Sequence, residues 1–141
     1  MATTRNASTH WEGTLFEGAG KVTLESSGIG TYDVSWASRA EDANGKTSPE
    51  ELIAAAHSSC FSMALSNGLA KAGTPATSLD TSAAVDFVPG TGITEIRLTV
   101  KGVVEGISSD DFVAAATAAK EGCPVSQALS AVEITLDAAL A

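Results

Sequence analysis

Hydrophobic and polar residues alternate with a period of two in several stretches of this chain and lose that period in one long one. His10 to Phe16, Gly20 to Glu25 and Thr31 to Trp36 carry strand-like residues, separated by Gly18 and by Ser26-Ser27-Gly28-Ile29-Gly30. In the third stretch Tyr32, Val34 and Trp36 alternate with Asp33 and Ser35, the pattern of a strand with one wet face. Together they predict a meander or a pair of hairpins. Further on, Leu79 to Val88 and Ile93 to Val104 flank Pro89-Gly90-Thr91-Gly92 and predict another hairpin, with Ile96, Leu98 and Val100 alternating against Arg97, Thr99 and Lys101. A last strand is expected over Val132 to Asp137.

The long aperiodic stretch follows a polar loop, Ser38 to Lys46. Ser48 can cap a helix, Pro49 suits its first position, and Glu51 stands three residues after the cap as in a capping box, with Glu50 favouring the positive end of the dipole. The helix is expected to run to about Ala72, with Lys71 in its last turn and Gly73 as its C-cap. Leu52, Ile53, Ala54, Ala55, Ala56, Phe61, Met63, Ala64 and Leu65 cover most of its circumference, which predicts a helix enclosed on all sides. Leu52 to Ala70 holds no formal charge over 19 residues, close to a bilayer's thickness, but six of these are polar, so burial inside protein is the better reading. A second helix, alanine-rich and capped by Ser108 or Ser109, should end at Gly122, with a short helical piece over Val125 to Ser130 after Cys123-Pro124. The result is a single α+β domain over residues 1–141, with helices on antiparallel sheet.

Composition changes this picture in one respect. Leu, Ile, Val and Phe together number 30 of 141 residues, against 25 alanines, so a lone subunit is weakly stabilised and an oligomer is expected. A net charge of −9 repels phosphate backbones and anionic lipid, which disfavours nucleic acid and membrane surfaces as partners. The first twelve residues lack the apolar run of a secretory signal, so a cytoplasmic location is expected.

Candidate chemistry rests on few residues. The only cysteines, Cys60 and Cys123, stand 63 positions apart and can be read as small buried hydrophobes. Their settings argue for more. Cys60 lies mid-helix in His57-Ser58-Ser59-Cys60, among polar side chains, and Cys123 lies between a helix-ending glycine and a helix-starting proline, where a helix N-terminus favours thiolate. Arg39 reads as a solvated loop charge or as the basic partner of a thiolate, and Glu50 as helix-end decoration or as part of a site. Ten helical residues separate Glu50 from Cys60, about 15 Å, so a site using both would span two subunits. His57, one turn before Cys60, could orient its thiol or simply be a satisfied core histidine. His10, His57, Cys60 and Cys123 match no compact zinc spacing, and no phosphate loop or nucleophile elbow is present.

The runs Ser48-Pro49-Glu50-Glu51-Leu52-Ile53-Ala54-Ala55-Ala56-His57-Ser58-Ser59-Cys60-Phe61-Ser62-Met63-Ala64-Leu65 and Gly122-Cys123-Pro124-Val125-Ser126-Gln127-Ala128-Leu129 resemble the OsmC/Ohr family of osmotically inducible and organic hydroperoxide resistance proteins. His10-Trp11-Glu12-Gly13 and Glu133-Ile134-Thr135-Leu136-Asp137 resemble its OsmC branch. The resemblance implies an intertwined homodimer whose antiparallel sheets pack around a long central helix from each subunit, with two sites at the interface. It implies a thiol peroxidase acting on organic hydroperoxides. Cys60 maps to the reactive cysteine, Cys123 to the resolving cysteine, Arg39 to the arginine and Glu50 to the glutamate of the family's site. Arg39 would lower the Cys60 pKa, and Glu50 would hold its guanidinium bidentately. A dithiol such as a dihydrolipoyl group on a partner protein would regenerate the thiols, and no metal, flavin or other cofactor is implied. Phe61 and Met63 would line a pocket favouring hydrophobic peroxides. The other reading is a dimeric module that binds a small apolar ligand and has inert thiols.

Overall fold

The computed structural model describes all 141 residues, which form two compact units, Met1–Leu52 and Ile53–Ala141. The first unit is a three-stranded antiparallel sheet, ordered β1 (Ser8–Glu12), β2 (Ala19–Thr23), β3 (Thr31–Val34), followed by a short helix α1 (Trp36–Ala40). The first strand ends earlier than the alternation suggests. Gly13 adopts φ +88°, a conformation open to glycine at little cost, and the chain then turns so that the Gly18 N–H donates to the Thr14 carbonyl at 2.8 Å. The third strand also stops short. Ser35 accepts from the Ser38 N–H at 3.1 Å while the Ser38 hydroxyl accepts from the Ser35 N–H at 3.0 Å. This reciprocal cap starts a helix at Trp36 where the sequence reads as strand end and loop.

Helix α2 (Pro49–Lys71) opens as expected, with the Ser48 hydroxyl accepting from the Glu51 N–H at 3.1 Å. The Glu51 carboxylate takes the Thr47 hydroxyl at 2.7 Å. At the far end Gly73 has φ +87° and the Thr74 N–H reaches the Leu69 carbonyl at 3.0 Å, a Schellman-type stop.

The second unit holds β4 (Ala76–Val88), β5 (Gly92–Val104), α3 (Ser109–Gly122), α4 (Pro124–Ala128) and β6 (Glu133–Leu140). Strands β4 and β5 form the expected hairpin, but β6 joins β5 in parallel, so the sheet β4-β5-β6 is mixed where antiparallel sheet was expected. The reason is the connection. Two helices separate β5 from β6, and a crossover of that length lets the chain return to the same end of the sheet, which a short turn cannot do.

One core fills this unit. Phe61, Leu65 and Leu69 of α2 cluster with Leu98, Val100 and Val104 of β5 and with Phe112, Ala116, Ala119 and Cys123 at the α3 side. His57, Phe61, Leu65 and Leu69, four residues apart, form a single stripe with no exposed surface, whereas Met63 is 72% exposed. A single chain therefore encloses one stripe of α2, not its whole circumference. Gly102 explains how α3 comes so close to β5: a Cβ there would sit 2.6 Å from the Phe112 ring. No helix is long and apolar enough to cross a membrane. Gly102→Ala should lower unfolding free energy by about 1–3 kcal/mol through overpacking against Phe112, measured as a reduced urea midpoint.

Candidate active site

Tertiary packing joins the two cysteines. Cys60 precedes the buried Phe61 on α2 and is half-buried at the edge of the stripe. Cys123 closes α3, its N–H donating to the Ala119 carbonyl at 2.9 Å, and serves at once as N-cap of α4. Extended backbone at Cys123 (φ −61°, ψ 124°) and Pro124 at the next position end one helix and begin another, fixing where the thiol stands. The two sulfurs lie 2.9 Å apart and share a hydrogen bond. Both cysteines are free, and a disulfide between them requires an approach of less than about 1 Å.

The pair is electrostatically unequal. Burial, and then the hydrogen bond with Cys123, push the Cys60 thiol above its ordinary pKa. Burial alone would raise Cys123 as well, but hydrogen bonding from Cys60, from the Ser126 N–H and hydroxyl and from the Val125 N–H outweighs it and holds this thiol below its ordinary value. Cys123 is fully buried and Cys60 is not, so the more acidic sulfur is the less accessible one.

His57 stands behind this pair as a buried side chain. Its Nε2 lies 2.7 Å from the Ser126 hydroxyl, and its Nδ1 is buried with no hydrogen-bond partner. Burial holds its pKa below 6.5, so the imidazole is neutral at neutral pH. The helical neighbourhood of Cys60 that the sequence marked as polar is thus partly a hydrogen-bonded core: His57 bonds Ser126, and the Ser62 hydroxyl lies 2.6 Å from that of Thr81.

Arg39 and Glu50 form the other pair, within the first unit. The Arg39 Nε and Nη2 each donate to Glu50 Oε1 at 2.9 Å. Both donors therefore converge on one carboxylate oxygen, where two parallel bonds to two oxygens were expected. Glu50 is 6% exposed and its Oε2 is buried without a hydrogen-bond partner. Beside this pair an apolar cavity of about 380 Å³ is lined by Trp11, Leu15, Val34, Trp36, Arg39 and Leu52. Of the two residues expected to line a pocket, Phe61 has no exposed surface and belongs to the core, while Met63 lines an open cavity of about 630 Å³ in the second unit with Ser62, Ser66, Asn67 and Leu79.

The four candidate residues thus fall into two contacts, Cys60 with Cys123 and Arg39 with Glu50. No group of three or more His, Cys, Asp or Glu side chains is arranged to hold a metal ion. Ser126 was not among the candidates. Its only signal was its position, third in the short helix that Cys123 caps.

A family model described as OsmC-like protein matches residues 41–137. Two curated relatives named peroxiredoxin OsmC, from Escherichia coli (strain K12) and from Shigella flexneri, are each 44% identical over 140 residues, 97% of this chain and 96% of theirs. Among solved structures, an organic hydroperoxide resistance protein OsmC from Legionella pneumophila superposes with a TM-score of 0.74 at 22% identity, covering 99% of this chain and 98% of that one. The organic hydroperoxide resistance protein OhrB of Bacillus subtilis gives a TM-score of 0.67 at 22% identity over 94% and 97% of the two chains.

The buried histidine carries a pH signature. Because its folded pKa lies below 6.5, its contribution to stability is complete above that value and is lost as pH falls beneath it, where the unfolded chain takes up a proton that the folded chain resists. Urea midpoints should fall between about pH 7 and pH 5, and His57→Gln should flatten that fall.

Proposed function

The chain belongs to the OsmC family, and from that membership together with its paired thiols we propose that it is a thiol-dependent peroxidase reducing organic hydroperoxides through Cys60 and Cys123. The contact between the two sulfurs at 2.9 Å is the observation that carries this reading, because chemistry needing two thiols in succession needs them in contact. Cys60 is the sulfur that a peroxide reaches, since Cys123 is fully buried. Its thiolate attacks one oxygen of the O–O bond. The S–O bond forms as O–O breaks, leaving a sulfenic acid on Cys60 and an alkoxide that takes a proton to become the alcohol. The Cys123 thiolate then attacks the Cys60 sulfur, forming the S–S bond and expelling hydroxide, which is protonated to water. A dithiol reductant, a dihydrolipoyl group by chemical class, returns both thiols and is itself oxidised to a disulfide.

The raised pKa of Cys60 defines what the first step still requires: a cation that favours its thiolate. In the proposed homodimer Arg39, steadied by Glu50, fills that role at Cys60 of a second subunit and holds the departing alkoxide. The apolar cavity beside Arg39, with its two tryptophans, suits the organic part of a hydrophobic hydroperoxide. The exposed side of α2 around Met63 is the surface on which the second subunit packs. The cycle begins from two reduced thiols, which accords with a cytoplasmic setting.

Intact mass and free-thiol counts after one equivalent of cumene hydroperoxide test the reaction. The wild type should lose two hydrogens and both thiols, then recover them with dihydrolipoamide. Cys123→Ser should stop at one added oxygen after a single turnover, and Cys60→Ser should be inert. Survival of both thiols in the wild type would reject the peroxidase reading and favour a ligand-binding module. Arg39→Lys should lower peroxide turnover by at least about tenfold, because an ammonium cannot reproduce the fork on Glu50.

A further inference from the structure

Arg39 and Glu50 do not adopt the geometry that an ion pair left to itself would choose. Two parallel bonds would serve both carboxylate oxygens, yet Nε and Nη2 converge on Oε1 and leave Oε2 buried without a hydrogen-bond partner. The separation of the two side chains is therefore set by the backbone that carries them. The connection from α1 to α2, Glu41 to Lys46, is exposed along its whole length and gives little hold. A buried hydroxyl gives more. Ser38, which precedes Arg39, is 8% exposed; its Oγ accepts the Ser35 N–H at 3.0 Å and lies 2.9 Å from the Ser35 carbonyl and 3.0 Å from the Thr47 carbonyl. A hydroxyl has one proton to give. The Ser35 carbonyl already accepts the Arg39 N–H at 3.2 Å, so the proton serves best at Thr47. Thr47 is itself held to β3, where its N–H donates to the Asp33 carbonyl at 3.0 Å and it bridges Val34. Glu50 stands three residues further on, in the first turn of α2.

From these contacts we propose that Ser38 is a positioning residue for Arg39: its hydroxyl, bonded to the Thr47 carbonyl, clamps α1 to the start of α2 and so fixes the guanidinium on Glu50 Oε1. Neighbouring residues of α1 thus carry two ties across one exposed loop, Ser38 to the Thr47 backbone and Arg39 to the Glu50 side chain. The two ties are not equivalent. Ser38 reaches its acceptor through a short, stiff side chain, whereas Arg39 reaches through a long one with many rotamers, which by itself leaves the position of α1 open. Because both arginine donors share one oxygen, a displacement of α1 lengthens both bonds together. All of these contacts lie within the first unit. This assignment rests on the peroxidase reading and refines it, because it makes the cation required at Cys60 depend on a serine that forms and breaks no bond in the reaction. The step served is the first one, sulfenic acid formation at Cys60, and capture by Cys123 is left alone.

The test reads two quantities on the full chain: the rate of Cys60 oxidation in a rapid-quench single turnover with cumene hydroperoxide, and the pH midpoint of Cys60 alkylation by iodoacetamide, followed by the mass of the Cys60 peptide. In Ser38→Ala oxidation should slow about tenfold and the alkylation midpoint should rise by about one pH unit, while the step from sulfenic acid to disulfide keeps its rate. Ser38→Thr, which keeps the hydroxyl, should oxidise within about threefold of wild type. Ser35→Ala removes the other half of the α1 cap, the Oγ that accepts the Ser38 N–H at 3.1 Å, and leaves the Ser38 bond to Thr47 in place. It should lower the urea midpoint without moving the alkylation midpoint, which separates loss of the clamp from loss of helix stability. Ser38→Cys, near in size and a weaker donor, should fall between the alanine and threonine variants in alkylation midpoint and keeps the test available if the alanine variant does not fold. An unmoved midpoint in Ser38→Ala, or an equal rise in Ser35→Ala, would overturn the inference while Arg39→Ala still raises the midpoint. If Arg39→Ala leaves both quantities unchanged, the part assigned to Arg39 in the peroxidase reading fails, and the role of Ser38 fails with it.

Discussion

The seating of one stripe of α2 in the core of the second unit is the constraint on which the thiol chemistry depends. His57, Phe61, Leu65 and Leu69 have no exposed surface, and Cys60 occupies its place because Phe61 beside it is locked in the cluster. The other wall of that cluster is α3, which approaches β5 closely because Gly102 leaves room for the Phe112 ring. The same packing brings the end of α3, and with it Cys123, to Cys60. Burial of large apolar side chains supplies the free energy, of order 1.5–3 kcal/mol for each one fully buried, and the thiol contact is a consequence of that arrangement. The sulfur–sulfur contact is far weaker than the packing that imposes it.

The two thiols divide accessibility and acidity between them. Cys60 can meet a substrate but resists ionisation, while Cys123 ionises more readily but is sealed from solvent. In the proposed reaction a buried thiolate that no peroxide reaches would be protected from oxidation and kept for attack on a neighbouring sulfur. In that reaction the accessible thiol needs outside help to ionise, so peroxide cleavage would be tied to the arrival of a cation.

The first unit shows how a buried charge is managed. Glu50 is almost wholly enclosed, and the convergence of the Arg39 Nε and Nη2 on one of its oxygens offsets the cost of burying its charge. That arrangement orients the guanidinium more tightly than a single contact could, and it leaves the second carboxylate oxygen buried without a hydrogen-bond partner. Trp11 and Trp36 line an apolar cavity next to this polar pair, so charge and apolar surface meet within a few residues.

What the sequence determined by itself was local. The Ser48-Pro49 helix start, the stop at Gly73 and the turn over residues 89–92 were legible because each depends on caps, backbone freedom and side-chain period within a few neighbours. Cys60, Cys123 and Glu50 stood out through their motifs, Arg39 lay in a loop without a distinctive motif, and the family resemblance added the expected roles of all four. Other features were not legible for physical reasons. The Ser35–Ser38 cap uses two serines in place of the serine–glutamate pattern that marks a helix start, so α1 read as loop. The parallel joining of β6 to β5 depends on where a two-helix crossover returns the chain, which alternation within a strand does not encode. The His57–Ser126 bond spans 69 positions, and the unequal pKa values of the two thiols depend on burial and on donors that folding delivers. Short-range periodicity and capping fix which elements form, but electrostatic environment is a property of three-dimensional neighbours, and only the tertiary structure decided which sulfur is reachable and which holds its proton more loosely.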